Sequence, residues 1–563
     1  MKRTVSLPQQ QRVPTNTHPS YNTYGTIHGS SNVPPPSLLE EHLNEFDMPN
    51  DDPRASYHSS SSSNFRTAIG SFVGSYSRTS ALYMADNLLS RPSTLDSAEL
   101  LQQQEEGEEV RQEDRKLKWD TDSLYSTHTG TGLSIFPALS RYSTIGTIIL
   151  RDEYHEGSDQ TMHHIPQSNF IQSVFNSVNV LVGICILSLP LGIKYAGWVW
   201  GSIIFLFCTI STNYSAKILA RCLDASPAGS MTYGDMGAAA FGDRGRSFIS
   251  TIFILELFTL GVAMAILFGD GLETLFALDK NTTSLISFSV LTPMLFLPIS
   301  KLAYTSIIGV VSSICLVIII VLDGLSKHVQ PGSLWDPMAT EIFPSHPYNI
   351  PLSFGILMAG YSGHAVFPAI YRDMKDPKQY DRMVDVTYVI TFLLYSITAT
   401  VGYLMFGLDT MQEITKNLAS TPGYTKWINQ GALYLIVLLP VAKYGLMLNP
   451  ITLTWEIWLK SQAVIDLWCK DHAWRQFGFF FLGRLFLSAF VIYVASVFPG
   501  FDRIVAFLGA LFSFGISVIF PLACYQKLYH STMSTKDSII NWILLLISII
   551  LALVGTLWSC LPN

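Results

Sequence analysis

From residue 170 onward the chain alternates long apolar stretches with short polar connections. A helix of about 20 apolar residues crosses a bilayer, and stretches of that kind run over 170–193, 198–219, 248–275, 302–322, 350–371, 384–406, 427–455, 477–497, 504–525 and 539–558. A shorter run, 285–299, ends against Lys301 and is counted as a fourth span, which makes eleven in all. The expected fold class is an all-α polytopic membrane protein.

Two of these spans carry polar and helix-breaking residues in their middles. The first reads Asn176, Ser177, Val178, Asn179, then an apolar run with Gly183 at its centre, and ends in Pro190. The sixth reads Gly360, Tyr361, Ser362, Gly363, His364 and ends in Pro368. Interrupted segments at corresponding positions of two halves point to a transporter's binding site near the bilayer midplane, because the break frees backbone groups for a ligand. If spans one to five and six to ten form inverted repeats, spans one and six are equivalent discontinuous helices and the eleventh is appended.

At such a break, freed N–H groups can receive a carboxylate and freed carbonyls an ammonium or a cation. An amino-acid zwitterion fits both. Gly183, Gly360 and Gly363 let backbone approach a ligand, while Asn176, Asn179, Tyr361 and Ser362 offer uncharged hydrogen bonds. The competing reading makes the glycines helix-packing contacts and the amides interhelical glue. His364 is the one acidic or basic side chain in either motif, so a neutral amino acid is the expected substrate. His364 itself can serve as a titrating group or as a hydrogen-bonded structural residue.

Two further ionisable residues lie inside spans and are the candidates for proton coupling: Lys443, near the middle of the eighth, and Glu256, nearer the cytosolic end of the third. A desolvated lysine loses its proton readily, so Lys443 can alternate between ammonium and amine and stand in for a bound cation. Snorkelling or a fixed ion pair is the alternative for Lys443, and a structural role the alternative for Glu256. Arg484 is expected to anchor the ninth span at the interface.

Composition agrees with the spans. Of 563 residues, 49% are hydrophobic and 14% charged, against about 25% charged in soluble proteins. The formal charge of −7 sits in residues 1–165, which hold 13 Lys+Arg against 21 Asp+Glu. This Ser-, Pro- and Gln-rich stretch is read as a disordered cytosolic tail preceding a transmembrane domain at 166–560, since it carries too little apolar surface to offset ordering entropy. It lacks the apolar core of a signal peptide. Residues 96–101 (DSAELL) resemble an acidic dileucine sorting signal, and 24–27 (YGTI) and 142–145 (YSTI) fit tyrosine-based ones, so sorting adaptors are candidate partners of the tail.

With the N-terminus cytosolic, Lys and Arg of the short loops concentrate on the cytosolic side, including Arg221, Arg244, Arg246, Arg372, Lys375, Lys378 and Lys470, as the positive-inside rule requires. The glycosylation tripeptide at Asn281 then falls on the opposite side. The seven cysteines show no metal-ligand spacing, so no disulfide, zinc or other cofactor is expected. No nucleophile–base pair or phosphate-binding loop suggests an enzyme or an ATP-driven pump, and no nucleic-acid partner is expected.

The two interrupted motifs, the sequence Lys443-Tyr444-Gly445-Leu446 and the stretch from Phe367 to Met374 continuing to Pro377 resemble the vacuolar amino-acid transporters of fungi and plants, within the amino acid/auxin permease family. The resemblance covers residues 169–558. It implies an eleven-helix carrier with a LeuT-type 5+5 inverted-repeat core, resident in the vacuolar or lysosomal membrane, that exchanges neutral amino acids such as Gln, Asn, Leu, Ile or Tyr against protons. Filling of an acidic lumen by antiport is the reading closest to these motifs. The alternatives are efflux by proton symport, a sodium-coupled plasma-membrane carrier, and a nutrient sensor that signals through the tail.

Overall fold

The computed structural model describes Ser75 and residues 168–226, 232–462, 465, 468, 473–498 and 500–561, all within the compact unit Ser63–Asn563. The sorting motifs at 24–27, 96–101 and 142–145 lie outside the described residues. The described elements are helices joined by loops, and one parallel bridge pairs Ser168 with Met374.

Helix α1 (Phe170–Leu181) starts at a capping box: Asn169 Oδ1 accepts from the Gln172 N–H, and Gln172 Oε1 accepts from the Asn169 N–H, each at 2.9 Å. The reciprocal bonds satisfy two of the N–H groups that every helix start leaves unpaired. The helix stops at Val182 and Gly183, both extended, and resumes as a 3₁₀ turn (Ile184–Ser188) that feeds α2 (Leu189–Asp224) with Pro190 in its first turn, where the missing N–H costs nothing. At Gly197, with φ +70, α2 turns sharply. A side chain there would meet the Ile342 carbonyl at 2.8 Å, and that loop accepts from the N–H groups of Trp198 and Val199.

Next come α3 (Tyr233–Phe276), α4 (Lys280–Leu291) and α5 (Ile299–Ser326). The second interruption separates α6 (Ile350–Ala359) from α7 (Phe367–Asp373). Gly363 in the gap has φ +143, a conformation that side chains other than glycine's rarely adopt. Then follow α8 (Tyr380–Phe406), the short α9 (Ile414–Ser420), α10 (Lys426–Ser461), α11 (Ala473–Val497), α12 (Phe501–Phe507), α13 (Phe520–Leu528) and α14 (Thr535–Cys560). Between α12 and α13 the chain winds as π-helix over Leu508–Ser513 and Gly515–Ile519, and the first of these packs against α6 so closely that Gly509 has room for no side chain.

This is an all-helical membrane protein. Among the described residues, nine helices are long and apolar enough to cross a bilayer, and two of the eleven expected spans take other forms. The first is divided between the twelve residues of α1 and the start of α2, because helix breaks at Gly183 and turns at Gly197. The fourth is α4 followed by a 3₁₀ turn at Thr292–Phe296, where Pro293 cannot continue the α-helical ladder. Large apolar side chains on the outer faces, among them Ile203, Ile210, Leu393, Leu546 and Leu553, are exposed, as expected of surfaces whose solvent is lipid.

Candidate functional site

The two interruptions lie side by side. A Cβ on Gly363 would stand 2.6 Å from Val180 Cγ1, and one on Gly192 would press on Leu357. Tyr395 of α8 places its hydroxyl 2.7 Å from the carbonyl oxygens of both Leu181 and Gly360, so one donor serves the last carbonyls before each break. Its burial excludes water as a competitor for those acceptors.

A cavity opens beside the breaks, lined by Gly183 to Cys185 of the first, Ser362, Gly363, Ala365 and Val366 of the second, Phe253, Glu256, Leu257 and Leu260 of α3, and Lys443, Leu446 and Met447 of α10. Its wall is apolar except at Ser362, Glu256, Lys443 and the broken backbone. Ser362 Oγ donates to Glu256 Oε1 at 2.6 Å. Lys443 Nζ donates to the carbonyls of Val182, at 2.7 Å, and Asn179, at 3.2 Å. The aliphatic stem of Lys443 passes over Gly309 of α5, where a Cβ would lie 3.0 Å from both its Cγ and Cε.

The residues singled out in the sequence therefore divide. Gly183, Ser362, Gly363, Glu256 and Lys443 reach the cavity. Gly360 lies behind it, its carbonyl held by Tyr395 and its Cα against the Tyr395 ring. Asn179 offers its carbonyl to Lys443, while its side-chain oxygen accepts from Ser306 at 3.2 Å. Tyr361 is buried, stacked on Tyr388 and hydrogen-bonded through its hydroxyl to Thr209 at 2.7 Å. His364 is buried against α2, with Nε2 2.9 Å from the Thr212 carbonyl and 3.1 Å from Ser215 Oγ. Asn176 donates to the Ser75 hydroxyl at 2.9 Å, and Ser75 lies 2.6 Å from Ser168 Oγ. These amides and rings thus bond to protein groups, and Asn176, Asn179, Gly360, Tyr361 and His364 are not among the lining residues.

Glu256, midway along α3 (Tyr233–Phe276), reaches the wall and the second break through Ser362. Arg484 is a correction: it is buried rather than interfacial, with Nε and Nη2 2.8 and 2.7 Å from Glu456 Oε1 and Nη1 on the Leu295 carbonyl. Its partner sits on α10, and only packing brings the two together. Tyr395 and Gly309 were not singled out at all; a tyrosine and a glycine in apolar helices carry no periodic signal. Asn281 is exposed at the start of α4, but Thr283 of its tripeptide is buried.

The family profile described as "Transmembrane amino acid transporter protein" matches residues 166–561. Amino acid transporter AVT1D of Arabidopsis thaliana is 32% identical over 393 residues, covering 66% of this chain and 66% of that protein. AVT1E of the same plant is 32% identical over 411 residues, covering 69% and 73%. Vacuolar amino acid transporter 5 of Schizosaccharomyces pombe is 24% identical over 388 residues, covering 67% and 88%.

Proposed function

Because the chain belongs to the transmembrane amino acid transporter family, we propose that it is a carrier, not an enzyme, which loads large neutral amino acids into an acidic vacuolar lumen in exchange for protons. The observation that carries this reading is the position of Lys443, whose ammonium spans the Asn179 and Val182 carbonyls at the rim of the cavity. With the amine protonated, the broken segment of α1 is held to α10. On loss of the proton the amine keeps only weaker, uncharged N–H bonds to those carbonyls and α1 is freer to shift, which makes one proton equivalent to one dissociable cation. The LeuT-type inverted repeat supplies the frame in which α1 and α6 move together against the rest.

The substrate's chemistry follows from the wall. One carboxylate, Glu256, and one ammonium, Lys443, leave the cavity with no net charge, which suits a zwitterion. The substrate carboxylate is received by backbone N–H groups at the breaks, and its ammonium by freed carbonyls with Glu256 and Ser362 nearby. The leucine, valine, methionine and phenylalanine walls suit an uncharged side chain such as that of leucine, isoleucine, tyrosine or glutamine. The likeness to a protein named vacuolar supports a vacuolar address, and the loop charges support a cytosolic N-terminus.

The test is uptake of a labelled neutral amino-acid mixture into oriented proteoliposomes. Accumulation that requires an acid lumen supports antiport; accumulation in the opposite direction, or driven only by sodium, overturns it. A second reading, regulation or sensing through the tail, is favoured by the buried Ser75 hydroxyl on Asn176 and Ser168. Deleting residues 1–164 would then change regulation while sparing transport.

A further inference from the structure

Three charged residues far from the cavity in sequence meet at the other end of α3. Lys416 Nζ of α9 lies 2.7 Å from Asp270 Oδ2 of α3 and 3.7 Å from Glu413 Oε1, the residue that precedes α9. The Asp270 and Glu413 carboxylates thus share one ammonium, and their like charges oppose each other. Glu413 is only 2% exposed, and its Oε1 has no hydrogen-bond donor, whereas Asp270 and Lys416 are 21% and 28% exposed and open the cluster to protons from that side. With both carboxylates ionised the group carries one uncompensated negative charge, most of it on a desolvated side chain. One proton on Glu413, the buried member, removes it.

The segment that holds Glu413 also seals the first broken helix. Ser188 Oγ, at the end of the 3₁₀ turn, donates to the Gln412 carbonyl at 2.8 Å, and Lys194 Nζ donates to the Thr410 carbonyl at 2.9 Å. Gln412 Oε1 in turn accepts from the Phe501 N–H at 3.3 Å. Residues 410–416 are therefore a strap that ties α3 to the break in α1, and the carboxyl pair sits at its anchor.

We infer that Glu413, set beside Asp270 and Lys416, is a second proton-binding site, separate from Lys443 and Glu256, and that proton uptake there holds the strap closed over the first broken helix. That the face is lumenal rests on the proposed orientation. Burial first, and Asp270 second, push the Glu413 carboxyl well above the ordinary carboxylate range in this packed arrangement. A strap lifted into water would return it toward that range, so the closed form binds the proton more tightly, and by linkage acid favours closure. The other charges near the strap are Glu273, one turn along α3 and close to Lys416, and Asp409, Asp502 and Lys194 around Thr410. In an antiporter facing an acid lumen, a proton taken up on that side would shut it after the amino acid has left and return the carrier toward the cytosol.

The experiment reads closure without transport. In the purified full-length chain with the exposed Cys560 replaced by serine, Ser188→Cys is labelled by a disulfide reagent that stays reactive in acid, with Glu413 native and with Glu413→Gln. Glutamine imitates the protonated carboxyl. Taking the ratio of the two labelling rates at each pH cancels the thiol's own titration. The expected result is labelling severalfold faster with native Glu413 at about pH 8 and equal rates at about pH 5. Asp270→Asn should give the same pattern and guards against a folding defect peculiar to one variant. A ratio that does not change with pH in either background overturns the inference. Failure of antiport in vesicles with the ratio intact would overturn the proposed function and leave the site standing.

Discussion

Lys443 Nζ lies 2.7 Å from the carbonyl oxygen of Val182, the residue at which the first helix of the domain stops being helical. The bond joins the middle of α10 to the one stretch of α1 whose carbonyls have lost their helical donors. A buried ammonium without such acceptors would be costly, and a broken helix at membrane depth without such a donor equally so. Each feature accounts for the other.

Replacing Lys443 with alanine leaves the Val182 carbonyl without this donor and removes the titrating group. Proton-driven accumulation should fall to background while the protein still reaches the membrane. Uptake in oriented vesicles at several imposed pH differences checks this, and an unaltered pH dependence would remove Lys443 from the coupling step.

Gly309 makes room for the lysine stem. Valine there would meet Lys443 Cγ and Cε, each 3.0 Å from the first added carbon, and push the ammonium off its two carbonyls. Gly309→Val should therefore reproduce much of the Lys443→Ala defect although it removes no functional group. Normal coupling in that variant would show that the lysine's position is not critical.

The two cavity glycines should behave differently. A Cβ on Gly183 would have only the Leu181 carbonyl within 4 Å, at 3.9 Å, whereas Gly363 has φ +143 and lies 2.6 Å from a Val180 methyl. Gly183→Val should fold and fill the space beside the substrate, raising the apparent KM or abolishing uptake. Gly363→Val should lose stability by about 1–3 kcal/mol from backbone strain alone. Melting temperatures measured beside uptake separate the two outcomes.

Tyr395→Phe removes the hydroxyl shared by the Leu181 and Gly360 carbonyls. Leaving a buried acceptor unpaired costs about 1–3 kcal/mol, and the two breaks lose their common tether. A lower melting temperature with altered transport is expected; a silent variant would mean that other donors reach these carbonyls.

Arg484→Met strands Glu456 in the interior and should cost about 3–5 kcal/mol, whereas Arg484→Met with Glu456→Leu should recover most of it. Thermal unfolding in detergent measures both. Equal losses in the single and double variants would show that the bond from Arg484 to the Leu295 carbonyl, not the ion pair, is what matters.

Much of the architecture was legible without coordinates, because hydrocarbon imposes a simple rule. Spans must be apolar, about 20 residues long and internally hydrogen-bonded, so nine of the eleven expected segments coincide with helices long enough to cross a bilayer and the other two hold shorter helices. The exceptions in form have local causes at Gly183, Gly197 and Pro293. Within the site, Gly183, Ser362 and Gly363 declared themselves as residues that interrupt a helix, and Lys443 and Glu256 as charges where charge is expensive.

What the chain determined by itself is thus the list of helices, the two breaks and the presence of intramembrane charge, each a property of residues near one another in sequence. Only the tertiary structure decided which groups face the cavity and which turn away. Asn176, Tyr361 and His364 look like ligands when read along the chain, yet they bond to Ser75, Thr209 and Thr212. Arg484 looks interfacial and is buried against Glu456. Lys443 finds its carbonyls 261 and 264 residues away, and Lys416, beside Glu413, meets Asp270 across 146. Such pairings are set by how helices pack, and a helix of uniform hydrophobicity carries little record of which side its neighbour will take.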